Sequence, residues 1–350
     1  MRILLVCHNI TGVEYHRLIT PHSKMGDVTS IANIDHQPDS FFYDYDLVVS
    51  SSVISKLGNQ ELLWKQLKRV GIPVVIDRDD TWVLPHNHPM YRDWQLKQRA
   101  KDIIYNLKQA DLVTTTTTYL AKLIKTHSNN VEVIPNAIDF TQPQFIPNPA
   151  IAAMKSNLLH IGWSGSATHL QDLQMIEGDL LSLNKSKDKD YKLMLAGFIE
   201  GDRMWHNYEQ IFTSNFIVGD DNYGRINGAD VNSYAQAYNL MDIGLIPLKD
   251  TEFNRAKSNL KMLEMGAFAL PVIVSDVEPY QELSKNKYNC LIAGKREWYK
   301  SMRKLIENPE LRKDLGSQLK EDVIEFRNEV FWREVRTQVY QNLIKAKKYI

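Results

Sequence analysis

The sequence has few cysteines, no excess charge of either sign and no long apolar run. Only two of its 350 residues are cysteines, Cys7 and Cys290, which is too few for a disulfide framework and predicts buried thiols in a reducing cytoplasm. Lys plus Arg equals Asp plus Glu at 42 each, so no global positive field draws the chain to nucleic acid or acidic lipid. The apolar run within residues 1–9 is too short for a signal peptide, and no later run approaches a membrane span.

What remains is the composition of an ordinary globular protein. Hydrophobic residues make up 43% of the chain and charged residues 24%, enough for sizeable cores. A length of 350 residues predicts two domains. Both halves alternate short apolar runs with helical patterns, which predicts an α/β fold with two doubly wound sheets. Strands are predicted at 2–7, 28–34, 46–50, 73–76, 110–114 and 131–134 in the first half and at 158–163, 192–197 and 215–218 in the second.

The most informative stretch lies between residues 242 and 275. It predicts a strand at 243–248, a polar loop, a helix capped by Ser258, and a second strand at 272–275. In such a unit the loop and the start of the helix lie at the carboxyl edge of a parallel sheet, where open α/β folds bind ligands. The unpaired N–H groups of the helix start suit a phosphate there.

Three charged residues in this stretch are candidates for donor binding. Lys257 is predicted at the helix start, where a cation opposes the helix dipole unless an anion lies between it and the amides. Lys261 and Glu264 follow along the same helix. The alternative interpretation is a solvated helix face with an ordinary spaced ion pair.

The same stretch resembles the donor-site signature of retaining GT-B glycosyltransferases of family 4, or group 1. In that signature a glutamate is followed by small residues and then by an apolar strand that a proline introduces. Ala269 stands where the family usually has glycine, and the family's earlier glutamate falls on Ala256. The resemblance implies that the retained glutamate contacts the nucleotide ribose, whereas the missing one would contact the sugar. The matching residues are Glu264, Ala267, Pro271, Val272 and Ser275.

The resemblance extends to the order of domains. It implies two Rossmann-like domains that face each other across a cleft, and the sequence VIPNAID at 133–139 resembles the family's hinge. We therefore expect an acceptor domain at 1–140, a proline-rich hinge linker at 141–157, a nucleotide-sugar domain at 158–330, and a C-terminal helix at 331–350 that crosses back to the first domain.

The activity that the resemblance implies is sugar transfer with retention of configuration. A nucleotide sugar would be the donor, and a hydroxyl of a glycan, lipid, protein or modified DNA would be the acceptor. We expect neither a metal nor another cofactor, because cations and amides would stabilise the leaving diphosphate. The nature of the sugar, the base and the acceptor is left open.

Two further loops are candidates for donor contacts. The stretch GWSGSATH at 162–169 joins a predicted strand to a helix and is a candidate phosphate cradle, and in the family the corresponding loop faces the donor diphosphate. In the first half, Gly12 opens a helix after the first strand, where the family's glycine lets substrate approach the backbone; a simple turn is the alternative. The candidate residues of the longer loop are Gly162, Ser164, Gly165, Ser166 and His169.

The acidic loop at 77–94 is the candidate acceptor site. It concentrates Asp79, Asp80, His86 and His88 after a predicted strand, where functional groups are held on a rigid scaffold. General acid or base catalysis, or acceptor binding, by the two aspartates with His86 is the functional interpretation. A network of turns around the prolines is the alternative. A metal site is disfavoured, because no helix positions the histidines.

Two rival functions remain open on the sequence. A sugar-nucleotide epimerase or a phosphorylase shares the same kind of fold. A non-catalytic relative that binds a nucleotide sugar without turning it over would also fit, because Ala256 replaces the family's first glutamate.

Overall fold

A computed structural model describes residues 1–185, 191–213 and 222–347. The chain forms two compact units, each assembled from separate segments. The first unit contains Met1–Asn136, Arg255–Ser258 and Glu329–Ile350, and the second contains Ala137–Asn254 and Asn259–Asn328. The predicted α/β class and the two-domain organisation as parallel sheets are confirmed.

The first unit is built on a six-stranded parallel sheet. Its strands are β1 (Arg2–Val6), β2 (Asp27–Ile31), β3 (Leu47–Ser51), β4 (Val74–Arg78), β5 (Leu112–Thr115) and β6 (Val131–Val133). They are ordered β2-β1-β3-β4-β5-β6. The central strands are short apolar runs that are almost wholly buried, as expected of a parallel sheet covered on both faces, whereas the edge strand β2 is largely exposed.

The second unit has a sheet of the same kind. Its strands are β7 (Leu159–Ser164), β8 (Tyr191–Phe198), β9 (Tyr223–Asn227), β10 (Ile243–Ile246), β11 (Val272–Ser275) and β12 (Leu291–Ala293). Their order is β12-β11-β10-β7-β8-β9, and all neighbouring pairs are parallel. The predicted strand at 215–218 lies outside the described residues, and β9 was not predicted.

Helical segments connect the strands. In the first unit they are Gly12–Glu14, Tyr15–Ile19, Thr20–His22, Asp39–Phe42, Gln60–Val70, Tyr91–Leu96, Arg99–Gln109, Thr118–Ile124 and Glu329–Lys347. In the second they are Pro143–Phe145, Pro149–Ala152, Ala167–His169, Leu170–Gln174, Glu177–Lys185, Arg203–Thr213, Tyr234–Leu240, Leu260–Ala267, Glu278–Gln281, Trp298–Glu307 and Pro309–Phe326, and Glu252–Arg255 ends at the junction with the first unit. None of the described helices is long and apolar enough to cross a bilayer.

The proline-rich segment predicted as a hinge linker, 141–157, is instead a packed part of the second unit. The apolar side chain of Phe145 is only 3% exposed and lies in a core cluster of that unit. The side-chain amide of Gln236 donates to three carbonyls of the segment, those of Pro143, Gln144 and Ile146, at 2.9–3.0 Å. These contacts hold the chain against the second unit from Ala137 onward, so the boundary lies at Asn136 rather than at residue 140.

A buried ion pair lies at the centre of the first unit. The Arg17 guanidinium donates from Nε to Oδ1 of Asp77 at 2.9 Å and from Nη2 to Oδ2 at 2.8 Å. Thr114 also donates to Oδ2, at 2.7 Å. Burial acts to raise the pKa of Asp77, but the charge and hydrogen bonds of Arg17 outweigh it and hold the pKa below its usual value.

The C-terminal helix Glu329–Lys347 belongs to the first unit and contributes to this buried network. Arg336 places Nη1 3.6 Å from Oδ2 of Asp77. The hydroxyl of Tyr340, which is fully buried, lies 3.1 Å from Nε2 of His22. The helix was predicted from residue 331 to residue 350, and residues 348–350 lie outside the described part of the chain.

We predict that Asp77→Asn destabilises the protein by about 3–5 kcal/mol, because it leaves the Arg17 charge buried without its partner. Urea unfolding followed by circular dichroism measures the change. Asp39→Asn is the matched control, since Asp39 makes a similar two-pronged contact with Arg69 at the surface. A loss for Asp39→Asn as large as that for Asp77→Asn would contradict the importance of the buried pair.

Candidate functional site

The candidate donor site lies at the carboxyl end of β7, where the chain turns sharply beside β8. Ser164 is the last residue of β7, and the N–H of Gly165 donates to the carbonyl of Ala196 at 3.1 Å. Gly197 has a φ of 110°, and a Cβ built on it would lie 2.3 Å from the carbonyl oxygen of Gly165. Glycine at 197 therefore allows the two strand ends to approach each other.

Two other candidates of this loop have local contacts of their own. Gly162 is buried inside β7, and a Cβ on it would lie 2.2 Å from Sδ of Met241, so this glycine makes room for packing and is not placed to contact a ligand. Ser166 is exposed, with its hydroxyl 2.8 Å from that of Thr168.

Glu264 is a buried charged group of the second unit. It lies on the helix Leu260–Ala267 and is 2% exposed, which excludes the solvated face considered above. Tyr238 donates to Oε2 at 2.7 Å, and Tyr234 donates to Oε1. Burial raises the pKa of Glu264 to about 7, although both tyrosines act to lower it. The carboxylate is therefore held by both oxygens and changes charge near neutral pH.

Lys261, rather than Lys257, is the cation at the start of this helix. It is the second residue of the helix, and its Nζ lies 5.0 Å from the centre of the Trp163 ring. A Cβ on Gly165 would lie 3.0 Å from the same Nζ, so the ammonium is close to the turn at Gly165 that follows β7, the β7 turn. The N-cap residue, Asn259, makes no side-chain cap hydrogen bond, and its carbonyl accepts the N–H of Met262 at 2.9 Å.

The predicted helix start at Ser258 is wrong, because a short helix, Glu252–Arg255, intervenes and the longer helix begins only at Leu260. Ser258 accepts a hydrogen bond from the side-chain amide of Asn136 at 2.8 Å. Lys257 lies outside the helix and places Nζ 3.7 Å from Oδ2 of Asp80. The predicted conflict between Lys257 and the helix dipole therefore does not exist.

The two departures from the glycosyltransferase signature have different structural meanings. Ala256 is fully buried in a hydrophobic core cluster of the first unit, so apolar packing occupies the position of the family's first glutamate. Ala269, where the signature has glycine, has a φ of 55°, the left-handed region that glycine favours.

His169 contacts a buried aspartate that the sequence analysis did not single out. Its Nδ1 lies 2.9 Å from Oδ2 of Asp172, which is 5% exposed. The other oxygen of Asp172 accepts from the N–H of Lys249 and from the side chain of Asn254, both at 2.9 Å. Burial acts to raise the pKa of Asp172, but the hydrogen bonds leave it below its usual value. This aspartate joins the turn after β7 to the loop after β10.

Gly12 lies at the start of its short helix, as predicted. Among the described atoms, none lies within 4 Å of the position that a Cβ would take. The amides of the preceding turn are already used, because the Glu14 carboxylate accepts from the N–H groups of His8 and Asn9 at 2.9 and 3.0 Å. The simple turn accounts for the local structure.

In the first unit, the acidic loop is folded around the buried side chain of Arg78. Its guanidinium donates to the carbonyls of Asp80 and Thr81 at 2.5 and 2.9 Å. Asp79 is half-buried, and burial together with the neighbouring Asp80 raises its pKa to about 6. A carboxylate with such a pKa exchanges protons close to neutral pH.

The histidines of the loop take separate positions. His86 packs on Tyr91 with ring centres 4.5 Å apart. His88 accepts the N–H of Met90 at 3.1 Å, and burial together with the charge of Lys257 lowers the pKa of His88. The structure thus brings Asp80 and Lys257 together, with His88 close enough to sense the lysine. Within the described residues, no group of three or more His, Cys, Asp or Glu side chains could hold a metal ion.

Sequence reasoning missed Tyr234, Tyr238 and Asp172. The tyrosines lie four positions apart, a spacing that would place both on one side of an α-helix and was the available indication. The segment Tyr234–Leu240 is a 3₁₀ helix in the structure. Nothing in the local pattern around Asp172 distinguished it from a surface residue.

Comparison with known proteins finds similarity in structure alone. No family model matches the sequence, and no curated protein matches it. Sucrose-phosphate synthase from Thermosynechococcus elongatus superposes with a TM-score of 0.73 at 13% identity, over 99% of this chain and 100% of that one. HepE from Anabaena, in complex with UDP and glucose, gives 0.74 at 12% identity, over 97% and 99%. A glycosyltransferase from Rickettsia africae gives 0.68 at 12% identity, over 98% of each chain. The chain therefore has the GT-B fold.

The close approach of Gly197 to the carbonyl of Gly165 can be tested by substitution. We predict that Gly197→Ala destabilises the protein by about 1–3 kcal/mol, because alanine disfavours the left-handed backbone and its Cβ meets the Gly165 carbonyl. Gly178→Ala is the control, since it lies in a helix and no described atom is within 4 Å of the added Cβ. Its stability in urea should stay within about 0.5 kcal/mol or rise slightly. Equal losses in the two variants would contradict this role of Gly197.

Proposed function

We propose that this GT-B chain is a glycosyltransferase, which moves a sugar from a nucleotide sugar to an acceptor hydroxyl with retention of anomeric configuration. The observation that carries the proposal is the grouping of Glu264, Lys261 and the Gly165 turn at the carboxyl edge of the second sheet. Ligands of open α/β sheets bind at this edge. The similarity to HepE, whose structure contains UDP and glucose, supports the same class of donor.

On the donor side, each group has a chemical task. The Lys261 ammonium and the positive end of the dipole of the helix Leu260–Ala267 would bind the diphosphate, because both present positive charge beside the turn after β7. The Glu264 carboxylate would accept hydrogen bonds from the ribose hydroxyls, as the resemblance implies. The same positive groups would stabilise the charge that develops on the leaving diphosphate, so the proposed reaction uses no metal or other cofactor.

On the acceptor side, the proposal uses the acidic loop of the first unit. Asp80 is oriented by its contact with Lys257 and would bind an acceptor hydroxyl. Asp79, with its pKa raised to about 6, would accept a proton from it near neutral pH. His86 packs on Tyr91, and we give it no role in proton transfer.

A second candidate function is binding of a nucleotide sugar without turnover. The burial of Ala256 in apolar surroundings favours it, because no carboxylate can reach the sugar from that position. Slow hydrolysis of the donor without acceptor would support the transferase, and its absence with every bound donor would support the second candidate. NMR of the anomeric proton of the product tests retention.

The first functional prediction concerns donor binding. A thermal-shift screen of nucleotide sugars identifies the donor, since a ligand at a hundred times its Kd adds about 2.7 kcal/mol to stability. Glu264→Gln and Lys261→Ala should each weaken its binding by about tenfold to a hundredfold at pH 8, because a hydrogen bond to a charged group contributes about 1.5–3 kcal/mol. Calorimetry measures the affinities. Lys304→Ala, an exposed lysine of the same unit, is the control and should bind as wild type. Wild-type affinity in both site variants would remove the donor site from this helix.

The second functional prediction separates acceptor from donor. Asp80→Asn should lower the rate of transfer while leaving the donor Kd nearly unchanged, because Asp80 is assigned to the acceptor alone. Asp39→Asn, which breaks a surface pair with Arg69 outside this loop, is the control and should keep full activity. If Asp80→Asn stays folded but loses donor affinity along with rate, the assignment of this loop to the acceptor is wrong.

A further inference from the structure

Two tyrosine hydroxyls hold the carboxylate of Glu264. The segment Tyr234–Leu240 precedes β10 and directs two tyrosines at this glutamate. Their hydroxyls donate to opposite oxygens of the carboxylate, Tyr234 to Oε1 and Tyr238 to Oε2. Both oxygens of the carboxylate are thus held by donors from one segment of the chain.

We propose that Tyr234 and Tyr238 are positioning residues for the donor, which orient the Glu264 carboxylate and keep it ionised near neutral pH. The inference rests on the proposed donor role of Glu264. It adds that a clamp made of these two tyrosine hydroxyls decides whether that glutamate can accept hydrogen bonds from a ribose.

Opposing effects set the charge of Glu264. Burial opposes ionisation, whereas the two tyrosine hydroxyls and the positive charge of Lys261 favour it. Because burial is the largest of these effects, the pKa of Glu264 is raised to about 7. Removal of either hydroxyl takes away one hydrogen-bond donor to the charged form. The pKa of Glu264 must then rise further.

A higher pKa leaves a smaller fraction of Glu264 ionised at neutral pH, and this changes how the donor binds. An ionised carboxylate accepts hydrogen bonds at both oxygens, while a protonated one gives up part of that capacity and must place its own proton. Affinity for a nucleoside diphosphate should therefore rise as the pH increases through about 7 in the wild type. In a variant without one hydroxyl, the same rise should occur at higher pH.

A purely structural role predicts a different result. Tyr238 is 2% exposed and packs edge-on against Phe268, with ring centres 5.7 Å apart. Phenylalanine at 238 keeps this ring contact and removes only the hydroxyl. If the tyrosines served packing alone, the substitution would change stability and would leave the pH dependence of Glu264 where it is.

The experiment compares Tyr234→Phe and Tyr238→Phe with the wild type in the full chain. Tyr191→Phe is the matched control, because Tyr191 is a buried tyrosine of the same unit whose hydroxyl has no hydrogen-bond partner among the described residues. The first measurement is a titration by NMR of glutamate carboxyl carbons labelled with carbon-13. The signal of Glu264 is the one that Glu264→Gln removes. The second is the affinity for UDP, GDP and ADP by calorimetry from pH 6 to pH 9.

We expect the wild-type Glu264 signal to titrate near pH 7 and to move up by about one pH unit in each tyrosine variant. Affinity for the best-bound nucleotide at pH 7 should fall by roughly threefold to tenfold and recover at pH 9. Tyr191→Phe should match the wild type in both measurements. Tyr234 is only half-buried, so Tyr234→Phe decides the question if Tyr238→Phe does not fold.

An unchanged Glu264 titration in the folded tyrosine variants overturns the inference, as does an equal shift in Tyr191→Phe. The NMR titration needs no ligand, so it tests the clamp even if the proposed function is wrong. If the wild type binds no nucleotide and no nucleotide sugar, the proposed function fails and the donor role of the clamp fails with it. If it binds with a pH dependence that the tyrosine variants do not shift, only the clamp fails.

Discussion

The first unit depends on the buried ion pair between Arg17 and Asp77. The two residues are separated by 60 positions in the sequence and come from the helical segment Tyr15–Ile19 and from β4. Their contact also engages Thr114 of β5 and Arg336 of the C-terminal helix. Charges removed from water must be paired and hydrogen-bonded, so this pair requires all four elements to be in place together. It holds the scaffold from whose strand β4 the acidic loop emerges.

The second unit uses buried carboxylates in a related way, close to its candidate site. Asp172 connects the turn after β7 with the loop after β10, and Glu264 connects the helix Leu260–Ala267 with the segment Tyr234–Leu240. Both carboxylates are buried. Hydrogen bonds lower the pKa of Asp172 more than burial raises it, whereas at Glu264 burial raises the pKa more than the hydrogen bonds lower it. Asp172 therefore stays ionised as a fixed connection, whereas Glu264 can change charge near neutral pH. This difference makes Glu264 the functional candidate, whereas Asp172 connects two loops of the unit.

Local patterns in the sequence predicted most of the regular structure. The strand β11 was predicted with its observed bounds, and Thr117 caps the helix Thr118–Ile124 by accepting the N–H of Leu120. These features depend on a few neighbouring residues, namely a proline before an apolar run or a hydroxyl at a helix start. The start of the Leu260–Ala267 helix was predicted too early, since nothing local distinguishes Ser258 from Asn259 as its cap. Because of this error, Lys257 was expected at the start of the helix, where the structure has Lys261.

By itself, the sequence determined the α/β class, the two parallel sheets and the stretch that contains Glu264, because apolar periodicity and turn residues act over short distances along the chain. Only the tertiary structure decided which side chains meet. Sheet order and the burial of Ala256 in the first unit bring distant residues together, and no local pattern encodes such pairings. Three pairings were decided in this way, namely those of Arg17 with Asp77, of Lys257 with Asp80, and of the two tyrosines with Glu264. Their protonation and orientation depend on how completely the folded chain excludes water from them.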